Sequence, residues 1–366
     1  MKKEAMSMKK EATSIKKAGF FKKKEALTVF IIMLLLFFGG CARNNEARDH
    51  DEEKLGSTEE QQITIEDYYP FEENIKYTYQ GEGNEYASYT VYVDYIRDNR
   101  MQIRVNNGGT ETVKVLENSD GKLIQILAQG ECYYREDFTG RQAEQDKIEV
   151  LLMEPLKEGT TWTLNDGRTR TITAVGVELN TPSGSYKVLE VTTEGENSKV
   201  VDYYAPNVGL VKTVFTSEGT EVTSVLSQVE NVPLTQAIDF YYPDKNLYKL
   251  IKVTKSLTFN TNDVTRKKIE AAYKETPDNA APVLTAGAEI KSLYYNTVDK
   301  IVHVDFNQAF LSEMNAGSSY EGMILQGITN TLGNYYGVDK VYITVEGKPY
   351  SSGHYEMQKG EPFIVE

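Results

Sequence analysis

Between Asp67 and Glu230 the chain alternates apolar with polar residues, and nothing else in the sequence restricts the fold as tightly. Runs such as YASYTVYVDYI (86–96), RMQIRVNN (100–107), TETVKVLENS (110–119) and KLIQILAQ (122–129) are rich in β-branched and aromatic residues. The same holds for RTRTITAVGVEL (168–179), SYKVLEVTTE (185–194), KVVDYYAP (199–206), GLVKTVFTSE (209–218) and TEVTSVLSQVE (220–230). A repeat of two is the mark of a half-buried strand. Asp98-Asn99, Asn107-Gly108-Gly109, Asp120-Gly121, Asp166-Gly167, Ser183-Gly184 and Glu218-Gly219 separate the runs and read as tight turns. Parallel neighbours need long crossovers, and here nearly every connection is hairpin-short. The expectation is an antiparallel β meander, closed or half-closed into a barrel-like domain over 67–231. A short helix is expected around Gly140–Gln145.

The N-terminal 40 residues carry a different signal. Nine Lys and three Glu precede an apolar run from Ala26 to Phe38, which is followed by Gly39, Gly40 and Cys41. A positive segment, an apolar stretch of this length and small residues describe a secretory signal, and the run is short for a membrane span. Gly39-Gly40-Cys41 resembles the lipobox of bacterial lipoproteins, with Phe38 standing where that motif usually has Leu. The resemblance implies a signal peptide over 1–40 and lipid on Cys41, holding the protein on the outer face of the cytoplasmic membrane.

Residues 41–66 then read as an acidic disordered tether. Positions 42–66 hold eight acidic and three basic residues and little apolar surface to offset chain entropy. The surplus of +6 in residues 1–40, taken from the formal −14 of the whole chain, leaves −20 for the rest. Such a charge argues against nucleic acid and favours basic partners or wall-associated cations. With Cys41 acylated, Cys132 has no partner for a disulfide, so stability must come from packed cores.

After Val232-Pro233 the period changes. Strands are expected at 237–243 and 248–259, then a helix over Val264–Lys274 capped by Asn262-Asp263, with Val264, Ile269, Ala272 and Tyr273 facing inward. A loop follows over Thr276–Gly287, and a hairpin turns at Val298-Asp299. A second helix is expected over Tyr320–Tyr335, capped by Ser318-Ser319 and ended by Gly337, before a strand at 339–347. This is a small β-β-α-β-β-α-β unit over 237–350, with its helices on one face of a mixed sheet, and a polar C-terminal tail at 351–366.

Four segments carry a family resemblance. They are FYYPD (240–244), Val304-Asp305-Phe306-Asn307 with AFL (309–311), AGSSYEGMILQGITNTL (316–332) and YYGVDKVYITVEGKP (335–349). In this order they resemble the GerM-type (GerMN) domain of sporulation and spore germination. The resemblance implies a scaffold or partner-binding role at the membrane's outer face, with envelope or sporulation-complex proteins as partners, and not catalysis. The β-rich block resembles domains of Gram-positive lipoproteins through GTTWTLNDGRTRTITAV (159–175) and YYAPNVGLVKT (203–213), which carries no function.

No nucleophile elbow, zincin helix, phosphate loop or EF-hand loop is present after Cys41. No catalytic residue, cofactor or metal site is therefore assigned. His303 and Asp305 share a strand face and read as a polar pair, with Asp305 accepting hydrogen bonds at the following turn. His354 and Glu356 read as solvated, Cys132 as a small buried apolar residue, and Trp162 as a core anchor. Tyr doublets occur at 68–69, 133–134, 203–204, 241–242, 294–295 and 335–336, and one Tyr of each strand doublet should face out. In the second helix Tyr320, Met323, Ile324, Gly327, Ile328 and Leu332 form a core stripe, with Gly327 allowing close approach. The expected function is a non-enzymatic binding or assembly module of a spore-forming Gram-positive bacterium. The alternative is a ligand-binding lipoprotein whose β-rich domain holds a lipid, peptide or wall glycan.

Overall fold

The computed structural model describes residues 63–143 and 145–366. The signal segment, Cys41 and most of the expected tether lie outside the described residues. Gln61–Glu366 forms one compact unit.

A 12-stranded antiparallel sheet makes the first half. Its strands are β1 (Ile75–Glu82), β2 (Tyr89–Arg97), β3 (Arg100–Asn106), β4 (Glu111–Ser119), β5 (Lys122–Gln129), β6 (Glu149–Met153), β7 (Thr161–Thr163), β8 (Thr169–Thr181), β9 (Gly184–Glu194), β10 (Ser198–Ala205), β11 (Gly209–Ser217) and β12 (Thr220–Asn231). The order 6-5-4-3-2-1-12-11-10-9-8-7 is two six-stranded meanders joined where β1 pairs with β12. The turns are local in origin. Asp120-Gly121 and Glu218-Gly219 have positive φ at both positions, which matches the right-handed twist of the flanking strands. In place of the helix expected near 140–145 there is a single 3-10 turn at Gln145–Lys147.

The two edges, β6 and β7, are consecutive in sequence yet share no ladder. Side chains bridge them instead. The Trp162 indole N–H donates to the Val150 carbonyl at 3.0 Å, and Arg170 Nη1 donates to the same oxygen at 2.7 Å. Arg170 Nη2 also meets Glu149 Oε1 at 2.6 Å. Trp162 is thus the buried anchor the sequence suggests, and its polar end helps to close the barrel.

A short helix, α1 (Ile65–Tyr68), lies against this sheet with Ile65 and Tyr68 buried. The Ile65 amide donates to Glu154, and the Asp67 carbonyl accepts from the Asn207 amide at 2.6 Å. The last residues of the stretch read as tether therefore belong to the barrel core, because Ile65 supplies apolar surface to it.

The second half begins two residues after β12. A ribbon of β13 (Leu234–Pro243) and β14 (Leu250–Phe259) stands as its own sheet. Then come α2 (Thr265–Lys274), β15 (Ile290–Asn296), β16 (Ile301–Phe306), α3 (Ala309–Ser312), α4 (Ser318–Tyr336), β17 (Lys340–Val345), β18 (Lys348–Pro349) and β19 (Phe363–Ile364). β16 and β17 pair in parallel; the other pairs are antiparallel. The β-β-α-β-β-α-β order is as expected, but β13 and β14 do not join the mixed sheet. Helix α4 touches β13 as well as β16, β17 and β19, so burial extends well beyond the expected stripe and includes Thr329, Asn330, Thr331 and Gly333. Gly337 ends α4 at φ 68°, the left-handed cap that glycine tolerates.

Three local expectations are corrected. Asn262 and Asp263 do not cap α2. The Asn262 Oδ1 accepts the Ile96 amide at 2.9 Å, tying the helix start to the barrel, while Asp263 takes the Asn260 amide and pairs with Lys268. The cap position is Val264, which is 46% exposed and does not face inward. The cap of α4 is Gly317, with Ser318 already helical. Residues 351–366 pack onto the domain: β19 pairs with β17, and the Val365 amide donates to the Asp339 carbonyl.

One apolar cluster runs through both halves. Val113, Val115, Ile126 and Leu127 of β4 and β5 pack with Ile238, Phe240, Ile328 and Leu332 rather than with the barrel interior. The barrel's own core includes Leu116, Leu123, Ile172, Val191 and Leu226.

Candidate functional site

The barrel encloses a partly open cavity of about 470 Å³. Strand alternation explains which side chains reach it. On β4 the apolar Val113 and Val115 face the second half, so the polar Lys114 turns inward with Leu116. One wall is aromatic, made of Tyr69, Tyr77, Tyr79, Tyr89 and Tyr204. Tyr79 and Tyr89 stack at 4.4 Å, and the Tyr79 hydroxyl donates to the Leu210 carbonyl at 2.7 Å. Burial pushes the Tyr77 phenol up to about 12, and Tyr69, Tyr79, Tyr89 and Tyr204 are raised by the same cause. All five are neutral phenols near pH 7.

The other wall is charged, with Lys114, Glu149, Arg168, Arg170 and Asp202 and the amide of Gln125. Arg170 is committed to Thr193, Val150 and Glu149 at 2.6–2.7 Å. Asp202 accepts from the Thr213 hydroxyl at 2.7 Å, and burial raises its pKa. Burial lowers the pKa of Lys114, although Glu149 and Asp202 act against that shift. Among the described residues the Lys114 side chain makes no hydrogen bond or ion pair.

The sequence reasoning did not single out Lys114, Arg170, Glu149 or Asp202. An alternating strand marks its polar positions as solvent-facing, and only the packing of the second half onto β4 reverses that reading. The tyrosine doublets were the available signal. The inner members Tyr68, Tyr134, Tyr204, Tyr242 and Tyr336 are buried, whereas Tyr133 and Tyr294 are 49% and 45% exposed. Two doublets, 68–69 and 203–204, contribute to the cavity wall.

The remaining candidates are structural. Cys132 is fully buried, with its thiol pushed up to about 11 by burial. Asp305 Oδ1 accepts from the Thr344 hydroxyl at 2.6 Å and the Gly347 amide at 2.8 Å, so it holds the turn after β17 rather than the turn after its own strand. His303 does not pair with Asp305. It stacks on Tyr294 at 5.0 Å, meets Tyr342 edge-on at 5.5 Å and lies 3.4 Å from Asp299. Tyr294, His303 and Tyr342 are cross-strand neighbours and form an aromatic row on the sheet. His354 is exposed, as expected, and its Nδ1 also meets the buried carboxylate of Glu321 at 2.6 Å, while Tyr350 donates to the other oxygen at 2.7 Å. Glu356 is exposed, as expected. Among the described residues no group of three or more His, Cys, Asp or Glu could hold a metal, and no helix is long and apolar enough to cross a membrane.

Residues 239–351 match the Germane family, described as sporulation and spore germination. The second half is a GerM-type domain. The match falls on the stretch expected from the four sequence segments. Among solved structures, the first GerMN domain of the sporulation protein GerM from Bacillus subtilis is 20% identical, with 35% of this chain covering 97% of that one at a TM-score of 0.28. The tandem GerMN domains of the same protein are 19% identical over 36% of this chain and 46% of that chain, at 0.27. A Bacteroides fragilis protein with a YmcC-like fold is 14% identical over 44% of this chain and 98% of that chain, at 0.26. No curated protein matches the chain in sequence. The GerM-type domain contains the α4 packing, the Glu321 cluster and the aromatic row; the cavity lies outside it, in the barrel.

Proposed function

We propose that this chain is an extracytoplasmic, lipid-anchored binding or assembly module of sporulation, spore germination or the cell envelope, without catalytic activity. The GerM-type domain at 239–351 carries this reading. The anchor rests on the signal pattern before Cys41. The row of Tyr294, His303 and Tyr342 supports a protein-contacting role, since aromatic residues are enriched where proteins meet. The barrel shares its outer wall with the GerM-type domain, so a domain deletion would strip Val113 and Val115 of their cover. Point changes are the sounder test. A strain lacking the protein is complemented with Cys41→Ser or with the pair Tyr294→Ser and Tyr342→Ser, and heat-resistant spores and germination are scored at matched protein levels. Both complements should fall short of wild type, and Cys41→Ser should release or misprocess the protein. Full rescue by both would overturn the reading.

A second reading stands beside it: the β-rich barrel holds a small ligand. The cavity of about 470 Å³ favours it, since pockets for small molecules run from roughly 300 to 1,000 Å³.

A further inference from the structure

The five charged groups of the barrel cavity are not equivalent, and Arg168 is paired with Asp166 at 2.7 Å. The guanidinium of Arg170 is used in three directions by the protein itself, and Glu149 is its partner. Asp202 holds the Thr213 hydroxyl. Of the charged side chains lining the cavity, only that of Lys114 makes no hydrogen bond or ion pair among the described residues. Lys114 is half-buried and faces a partly open cavity rather than bulk solvent, so an anion that enters can make a charge-assisted hydrogen bond to it. The position also works against Lys114 before any ligand arrives, since burial favours its neutral form.

The rest of the wall narrows the ligand further. Tyr77 and Tyr89 offer flat apolar faces together with phenol groups that make no hydrogen bond among the described residues, and Gln125 adds its amide oxygen, whereas the Tyr79 and Thr213 hydroxyls are already held by Leu210 and Asp202. A hydrocarbon chain would cover these polar atoms without satisfying them, which costs more than its own burial returns. A ring that carries hydroxyls can stack on the tyrosines and exchange hydrogen bonds with the same atoms. Glu149 and Asp202 beside Lys114 disfavour a ligand with several negative charges.

We infer that the barrel cavity binds a small acidic carbohydrate, with its single carboxylate on Lys114 and its ring against the tyrosine wall. This rests on the reading of the barrel as a ligand-holding domain.

The test is calorimetric titration of the full chain in nanodiscs with three probes. N-acetylmuramate has the ring and a carboxylate, N-acetylglucosamine has the ring alone, and decanoate has the carboxylate on a hydrocarbon chain. N-acetylmuramate should bind at least tenfold more tightly than either of the others. Lys114→Met should reduce its affinity at least tenfold while thermal unfolding stays at or above the wild-type temperature, and Lys114→Arg should keep part of the binding. Equal affinity for both sugars, or unchanged binding in Lys114→Met, would overturn the carboxylate assignment. Preference for decanoate would overturn the carbohydrate and leave a ligand-holding barrel. Binding of none of the three would overturn both this inference and the reading beneath it, while the spore phenotypes of Cys41→Ser and the tyrosine pair would stand or fall independently.

Discussion

Arg135 is 1% exposed and sits where the barrel meets the GerM-type domain. It donates to the Asp94 carbonyl at 2.7 Å, the Tyr95 hydroxyl at 2.7 Å and the Asn260 carbonyl at 3.1 Å, and also to the Asp263 carbonyl. Its plane lies over the rings of Tyr95 at 4.1 Å and Phe259 at 5.1 Å. Asp94 is buried too and meets Arg104 at 3.1 Å, so two arginines share one carboxylate. Arg104 keeps Asp94 paired without Arg135, so the cost comes from buried acceptors left without a donor, about 1–3 kcal/mol for each. Arg135→Met should lose at least that much stability by urea unfolding, because it frees carbonyls on both sides of the junction. In the sequence Arg135 is one basic residue in a polar segment, and nothing local distinguishes it from Arg141, which pairs with Glu136 nearer the surface.

At the scale of the element, α4 shows what a helix needs when strands pack on more than one side. Gly327 would put a Cβ 2.7 Å from the Tyr241 carbonyl oxygen on β13. At an exposed helix position Gly→Ala gains about 1 kcal/mol. Gly327→Ala should instead destabilise the protein, measured as a lower thermal midpoint, because the backbone of β13 has to move. The close approach read from the sequence is therefore real, and the neighbour is this chain's own strand. The other end of α4 holds the last 16 residues through Glu321. Burial raises the pKa of this carboxyl, but hydrogen bonds from Ser352, His354 and Tyr350 outweigh burial and hold it below the ordinary value. A carboxyl depressed in the folded state adds stability above its unfolded pKa, about 4.3. That stability is lost as pH falls through the lower folded value. The Val365 amide, bound to Asp339, should lose hydrogen-exchange protection over that acidic window. Glu321→Gln should abolish the pH dependence.

For the whole molecule, the shared cluster from Val113 to Leu332 makes the barrel and the GerM-type domain one packing problem. Neither half keeps its buried surface alone. Scanning calorimetry of the full chain should show a single unfolding transition, and Arg135→Met should lower that transition as a unit rather than splitting it. Two separated transitions would mean that the shared wall contributes little.

The sequence by itself determined the elements. Alternation and two-residue turns set the antiparallel meander, because both are local, and the ordered segments from Phe240 to Pro349 marked the GerM-type domain. The strand doublets 203–204, 241–242 and 294–295 divide into a more and a less exposed member because neighbouring side chains on a strand point to opposite faces, whereas 68–69, 133–134 and 335–336 lie on helices or in coil. Tertiary structure decided which inside was meant. On β4 the apolar residues face the second domain and the polar Lys114 faces the cavity, a choice that depends on what packs behind the strand and not on the strand itself. The same is true of the closure by Trp162 and Arg170 across β6 and β7, and of His354 on Glu321. Each joins groups whose nearness comes from sheet curvature and domain docking, which no local pattern records.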